Sequence, residues 1–272
     1  MTAIAHASSR YASWHSLKQL LTARDLIWAW TGRTIGARYQ QSLMGWLWAV
    51  VQPAASCLVF TVVFTLFVRV DTGGIPYPVF SYVALLPWTF FASALPDMAD
   101  SIVQNMSLIT KIYFPREALL IAALLARVLD FAIASGLLMV LLIVYQVPVY
   151  PVLWLYLPLV FLVQIALLLG LGLLAAALNV FFRDVQPLLR LGVQLWFYAS
   201  PVIYPVALVP KDLLSVYFLN PMAGVIEAYR AILLDGTPPG PYLYLAALVS
   251  FALLAGGYWF FKRLEPQFAD II

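Results

Sequence analysis

The chain is poor in the residues on which soluble surfaces, metal centres and redox sites depend. It has one cysteine, Cys57, and two histidines, His6 and His15. A disulfide framework, a zinc cluster and a Cys-x-x-Cys redox pair are therefore excluded, and no metal site is expected. Charge is equally scarce: Asp, Glu, Lys and Arg together make up 10% of 272 residues, and the net charge is +3. Ordinary soluble domains carry about 25% charged residues, so this chain cannot clothe a globule in polar groups. A disordered segment is ruled out as well, because such segments are poor in apolar residues and rich in charge. A charge this small and this dispersed offers no basic face to nucleic acid. No lysine follows a glycine, so the sequence holds no Walker A loop. It also lacks a serine elbow, an HExxH helix and paired deep carboxylates, and no catalytic residue is assigned.

What the chain does have is length without charge. Hydrophobic residues make up 64% of it, and residues 43–68, 72–96, 131–182, 191–210 and 236–261 carry no formal charge. A bilayer core about 30 Å thick takes roughly 20 apolar residues as a helix. The run 131–182 is too long for one crossing and is divided by Pro148 and Pro151, which suit a turn. Lipid cannot satisfy free backbone groups, and the runs lack the alternation of barrel strands. The expectation is an all-α polytopic membrane protein, one transmembrane domain over residues 1–272. Its six spans fall at 43–68, 76–97, 118–145, 152–181, 187–205 and 241–261. Eleven Lys and Arg side chains fall in the segments placed inside and three (Arg69, Lys211 and Arg230) outside, so both termini are expected in the cytoplasm. No cleaved signal peptide is expected, since the first apolar run starts late and is long.

Three segments are more than connectors. Residues 14–38 mix Leu, Ile and Trp with Arg24, Arg33 and Arg38, as an amphipathic helix in the cytoplasmic interface does. Those arginines suit anionic lipids at the interface. Residues 98–117 close on Ile109, Lys111, Ile112, Phe114, Pro115, Arg116 and Glu117, an apolar patch beside charge. Residues 206–240 hold a helical stretch too short to cross, and the simplest reading is a re-entrant helix pair on the outer side between spans five and six. There Glu227 and Arg230, three apart, either latch an exit or satisfy each other. Arg127 and Asp130 share a face of the third span, as a substrate contact or as a neutralised pair. Phe60, Phe64 and Phe67 on the first span, and Gln194 and Tyr198 on the fifth, form stripes that either pack helices or wall a pore. Tyr77, Tyr82, Trp88, Trp154 and Tyr156 read as interface-belt residues.

These residues carry a family resemblance. YQQSLMGWLWAVVQP (39–53), the segment 105–117 ending in KIYFPRE, NVFFRDV (179–185), and SPVIYP (200–205) through LNPM (219–222) to Arg230 resemble, in order and spacing, the permease subunits of ATP-binding-cassette exporters for cell-surface polysaccharides, the O-antigen and teichoic-acid export permeases. The resemblance implies a homodimeric channel in the bacterial cytoplasmic (inner) membrane, among membrane lipids. It implies two separate nucleotide-binding ATPase subunits, so that ATP and Mg belong to the partner and this chain carries no cofactor. It also implies a polyprenyl-pyrophosphate-linked polysaccharide as cargo, with Arg24, Arg33 and Arg38 as candidates to receive the pyrophosphate, which favours bidentate donors. It implies residues 109–117 as the ATPase-coupling contact, with Phe114 as anchor and Arg116 and Glu117 making charged contacts. The same residues read without it as a cap on the third span. An exporter of lipids or drugs on the same architecture, or a membrane-bound lipid- or glycan-modifying enzyme, are the rival classes. An ion channel is more distant, because no charged ring is present.

Overall fold

The computed structural model describes residues 23–40, 42–109 and 114–270. Among these it is helical throughout, with no strand. Helix α1 (Arg24–Tyr39) is followed by a short 3₁₀ turn (Gly45–Leu47) and α2 (Trp48–Val62), which widens into a π turn over Val63–Phe67. Then come α3 (Tyr77–Gln104), the short α4 (Met106–Ile109), α5 (Glu117–Val144), α6 (Leu157–Phe181) and α7 (Val185–Tyr198). The chain ends in α8 (Leu214–Tyr217), α9 (Pro221–Arg230) continued as a π turn over Ala231–Asp235, α10 (Tyr242–Leu264) and a 3₁₀ segment (Glu265–Asp270). The part of the expected interface helix at 14–22 lies outside the described residues.

Five helical stretches are long and apolar enough to cross a bilayer: Gly45–Phe67, Tyr77–Gln104, Glu117–Val144, Leu153–Phe181 and Tyr242–Phe268. The expected span at 187–205 departs from its outline. Its helix, α7, has 14 residues and rises about 21 Å, short of a 30 Å core. Pro201 and Pro205 supply no N–H to prolong it. Yet the segment covers more depth than its helix. The Gln186 amide donates to the Pro96 carbonyl at 3.0 Å, and the Ile203 carbonyl accepts from the Tyr77 hydroxyl at 2.8 Å. Residues 186–203 therefore run beside about 28 Å of α3, with the last part unwound.

Helix α3 is the axis of the bundle. It is buried along most of its length, whereas far fewer of the residues of α2, α5 and α10 are fully buried. Pro87 and Pro96 interrupt its hydrogen-bond ladder, and neighbouring helices donate side-chain groups to its carbonyls. Gln164 of α6 donates to Pro87 at 2.7 Å, and Asn179 donates to Ala99 at 3.1 Å. In return Tyr82 of α3 donates to the Ala134 carbonyl of α5 at 3.0 Å. With no water to compete, a buried amide or hydroxyl is costly without such a partner.

Where α6 meets α10 the contact is backbone on backbone. A Cβ placed on Gly170 would lie 2.6 Å from the Leu253 carbonyl carbon, and one on Gly257 would strike the Gly170 carbonyl oxygen. Small residues let membrane helices close to this distance and gain dispersion contacts that lipid cannot better. Gly256, its neighbour in sequence, faces open space. Gly257→Leu should lower stability by about 1–3 kcal/mol or more. Gly256→Ala should leave it unchanged or raise it by up to about 1 kcal/mol through helix propensity. Thermal unfolding of the detergent-solubilised protein checks both, and equal melting of the two variants would contradict the packing described.

Candidate functional site

Four charged side chains meet where α1 crosses α3 and α5. The Arg38 guanidinium bonds Asp130 at 2.7 Å and Asp97 at 2.8 Å. Arg127 bonds the same two carboxylates, Asp97 at 2.7 Å and Asp130 at 3.1 Å. Tyr39 donates its hydroxyl to Asp130. Burial, with the carboxylate it faces, pushes the Tyr39 hydroxyl up to about 12, so it stays a neutral donor. The result is a net-neutral tetrad, the form in which charge persists at membrane depth. The expected Arg127–Asp130 pair is thus half of a larger network. Each terminal nitrogen of Arg38 already serves a carboxylate, so a pyrophosphate would have to compete with Asp97 and Asp130 for it. The tetrad is also a partition: Arg38 and Arg127 line a cavity of about 230 Å³ towards Phe90 and Ala134, and a second of about 450 Å³ towards Arg33 and Gln104. Arg33 stacks 4.8 Å from the Trp30 ring on the wall of the larger one, while Arg24 stands in water beside Asp25.

The coupling segment is arranged differently from expectation. Phe114 is only 8% exposed and Ile109 7%, so neither is a surface anchor. Glu117 is 3% exposed and pairs with Lys262 of α10. Arg116 donates to the Glu265 carbonyl. These groups take their partners from the chain's own final segment, Lys262 and Glu265, which a reading of local sequence does not see. Val103, Gln104 and Ser107 are the exposed residues nearby. Lys111 and Ile112 lie outside the described residues.

Along α7 the stripes separate into packing and surface. Phe60 stacks on Phe197 at 5.8 Å and Phe64 on Tyr77 at 5.7 Å, so both join helices. Phe67 is 77% exposed; the π turn at Val63–Phe67 carries it off the stripe that α-helical spacing gives. Gln194 and Tyr198 are exposed, and with Trp88, Ala92, Arg190 and Phe197 they line an open groove of about 340 Å³. Tyr77, Tyr82 and Trp88, expected as belt residues, are buried inside the bundle instead, since composition marks an aromatic as amphipathic without giving its depth. Trp154 is half-buried and Tyr156 exposed.

At the opposite end, Arg230 is 3% exposed. It bonds Glu227 at 2.9 Å, donates to the carbonyls of Val202 at 3.1 Å and Tyr204 at 3.4 Å, and lies 3.9 Å over the Phe80 ring. Asn220 caps α9 by accepting from the Met222 N–H at 3.0 Å and from the Trp196 indole at 2.7 Å. Its amide donates to the Ser200 hydroxyl at 2.9 Å. Glu227 and Arg230 therefore do more than satisfy each other: Arg230 and Asn220 sew the unwound end of α7 to α9. Asp97, Asn220 and Lys262 were not singled out by sequence reasoning. A trace existed for Asp97, the acid that ends the uncharged run 72–96.

The family model described as ABC-2 type transporter matches residues 25–234. The chain is 32% identical over 261 residues to an O-antigen export system permease protein of Myxococcus xanthus, covering 94% of this chain and 98% of that one. It is 30% identical over 249 residues to an O-antigen export system permease protein of Klebsiella pneumoniae, covering 91% and 95%. A polysialic acid transport protein of Escherichia coli is 25% identical over 207 residues, covering 75% and 79%.

If the tetrad acts as a unit, Arg38→Met and Asp130→Asn should couple by about 1–2 kcal/mol in a double-mutant cycle of thermal unfolding; additive losses would show the bond between them to be idle. Arg230→Lys should cost about 1–3 kcal/mol although it keeps the charge, because an ammonium cannot reach a carboxylate, a carbonyl and a ring together. A lysine variant melting with the wild type would refute that account.

Proposed function

We propose, from the premise that this chain belongs to the ABC-2 type transporter family, that it is the membrane-spanning permease of an ATP-driven exporter of a cell-surface polysaccharide. The observation that carries the proposal is its end-to-end likeness to permeases of O-antigen export. In this reading two copies form the channel in the inner membrane, two separate subunits bind ATP and Mg, and the glycan travels on a polyprenyl pyrophosphate. The chain starts and ends in the cytoplasm, as its lysine and arginine distribution favours. It crosses six times, residues 186–203 making the fifth crossing partly unwound. Helices α8 and α9 form the outer re-entrant pair, sewn to that crossing by Arg230 and Asn220.

The parts then take roles that their chemistry suits. Of the interfacial arginines, Arg24 and Arg33 are the candidates for the pyrophosphate, with Arg33 on the wall of the larger cavity. The groove of Gln194, Phe197 and Tyr198 suits a sliding glycan: ring faces pack on sugar faces with little directional bonding, so each sugar is held weakly and released easily. Glu227 and Arg230 latch the outer end. The coupling segment offers the ATPase its exposed edge around Val103 and Ser107, while Phe114, Arg116 and Glu117 support it from within.

Val103 is 41% exposed, so an acid there leaves the fold intact. Val103→Asp should cut co-purification of the ATPase and surface polysaccharide by about tenfold, the size of a hot-spot loss of about 1.4 kcal/mol. Pull-down with the tagged permease, alongside surface glycan staining, measures both. Full binding and full export by the variant would move the ATPase contact elsewhere.

A further inference from the structure

The charged residues beside the coupling segment meet partners from the far end of the chain. Glu117 opens α5 and bonds Lys262 in the last turn of α10. The Lys262 ammonium also bonds the Glu265 carboxylate at 2.8 Å. Arg116 donates to the carbonyl of Glu265, 149 positions away, and its guanidinium lies 5.5 Å from the Phe268 ring. Phe268 is fully buried, set edge-on between Phe181 of α6 at 6.0 Å and Phe261 of α10 at 5.5 Å. A cap on α5 would need one local partner, and a docking face would need exposed heads. This cluster has neither character: its groups are largely covered, Lys262 ties α5 to α10, and Phe268 carries the tie on to α6.

The tie leads somewhere stiff. From Lys262, α10 runs to Gly257, where its backbone rests on Gly170 of α6 with no side chain between. Packed interiors resist compression, so a displacement of Glu117 moves α10, and α10 moves α6.

We propose that Lys262, with the segment Glu265–Asp270, is a strut that carries motion of the coupling segment into α10 and α6, making Lys262 a positioning residue for transport. The inference rests on the exporter reading above and assigns it a transmission path. It separates two properties that a docking residue would lose together: capture of the ATPase, and use of its stroke.

The test is made in the complete complex, with three readouts: ATPase co-purified, ATP hydrolysed, and polysaccharide at the cell surface. For Lys262→Met, co-purification and hydrolysis should stay within about twofold of the wild type while export falls about tenfold or more, a usual size for coupling between sites. Lys262→Arg keeps the charge and can still bridge Glu117 and Glu265, and should restore export. Normal export by Lys262→Met would overturn the strut, and so would loss of the ATPase from that complex, which would put Lys262 on the docking face. Should Lys262→Met not fold, Glu265→Gln carries the test. Its milder loss should cut export by about threefold or more with binding and hydrolysis intact, and unchanged export would overturn the proposal. A wild-type complex that captures no ATPase at all would instead sink the exporter reading and leave the cluster as a structural tie.

Discussion

The condition on which this structure depends is that a helix can be buried in a lipid-solvated protein only if its neighbours satisfy its polar groups. Helix α3 is that helix. Pro87 and Pro96 break its own ladder, and its remaining polar groups cannot turn to water. Gln164, Asn179 and Gln186 reach its carbonyls from α6 and α7, and Asp97 near its end is held by two arginines. Each bond contributes only about 1 kcal/mol net, but an unmet buried group costs more. The penalty for a wrong neighbour, rather than the gain from a right one, fixes the arrangement.

The ion pairs gather at the two ends of the bundle; its middle has a few buried hydrogen bonds, from Gln164 and Tyr82, and the contacts of α7 there are made by rings. At one end lie the tetrad and the Lys262 cluster. At the other, Arg230 and Asn220 hold α9 to the unwound residues 199–205. Between them α2 and α7 meet α3 through rings, Phe60 on Phe197 and Trp88 on Phe197. Ring contacts are worth about 0.5–1.5 kcal/mol each beyond their buried area and tolerate several geometries. Ion pairs in the same place would fix one geometry, so the ring contacts leave this side of the bundle the more adaptable one.

How much of this was legible beforehand follows from what one sequence can encode. The long spans could be read because hydropathy is additive along the chain. The stretch 187–205 could be counted as apolar but not recognised as half unwound, since Pro201 and Pro205 are compatible with a span until the Tyr77 hydroxyl and Asn220 amide show what replaces the helical bonds. The pairing of Arg127 with Asp130 is local and was visible. Arg38 and Asp97 belong to the same network but come from distant helices, which no spacing rule connects. Phe114, Arg116 and Glu117 were expected to face outward, because Lys262, Glu265 and Phe268, which they meet, stand at the other end of the sequence. For the same reason Tyr82 and Trp88 were given to the interface: an aromatic side chain announces its chemistry and not its depth.

Stiffness is distributed unevenly, and that bears on how a motion applied at the coupling end travels. Shear between α6 and α10 is blocked where Gly170 and Gly257 leave no side-chain layer to slide. Rotation of α1 against α5 would break the Arg38–Asp130 ion pair and the Tyr39 hydrogen bond to the same carboxylate at once. The contacts that can give are those of α2 and α7, held to the rest mainly by stacked rings and otherwise uncovered. Helix α7 is anchored by Gln186 at one end and Trp196 near the other, so its freedom is that of a beam pinned at both ends. Bending of such a beam alters the groove of Gln194 and Tyr198 while leaving both pins in place, and a passage can then change width without the bundle losing its buried hydrogen bonds.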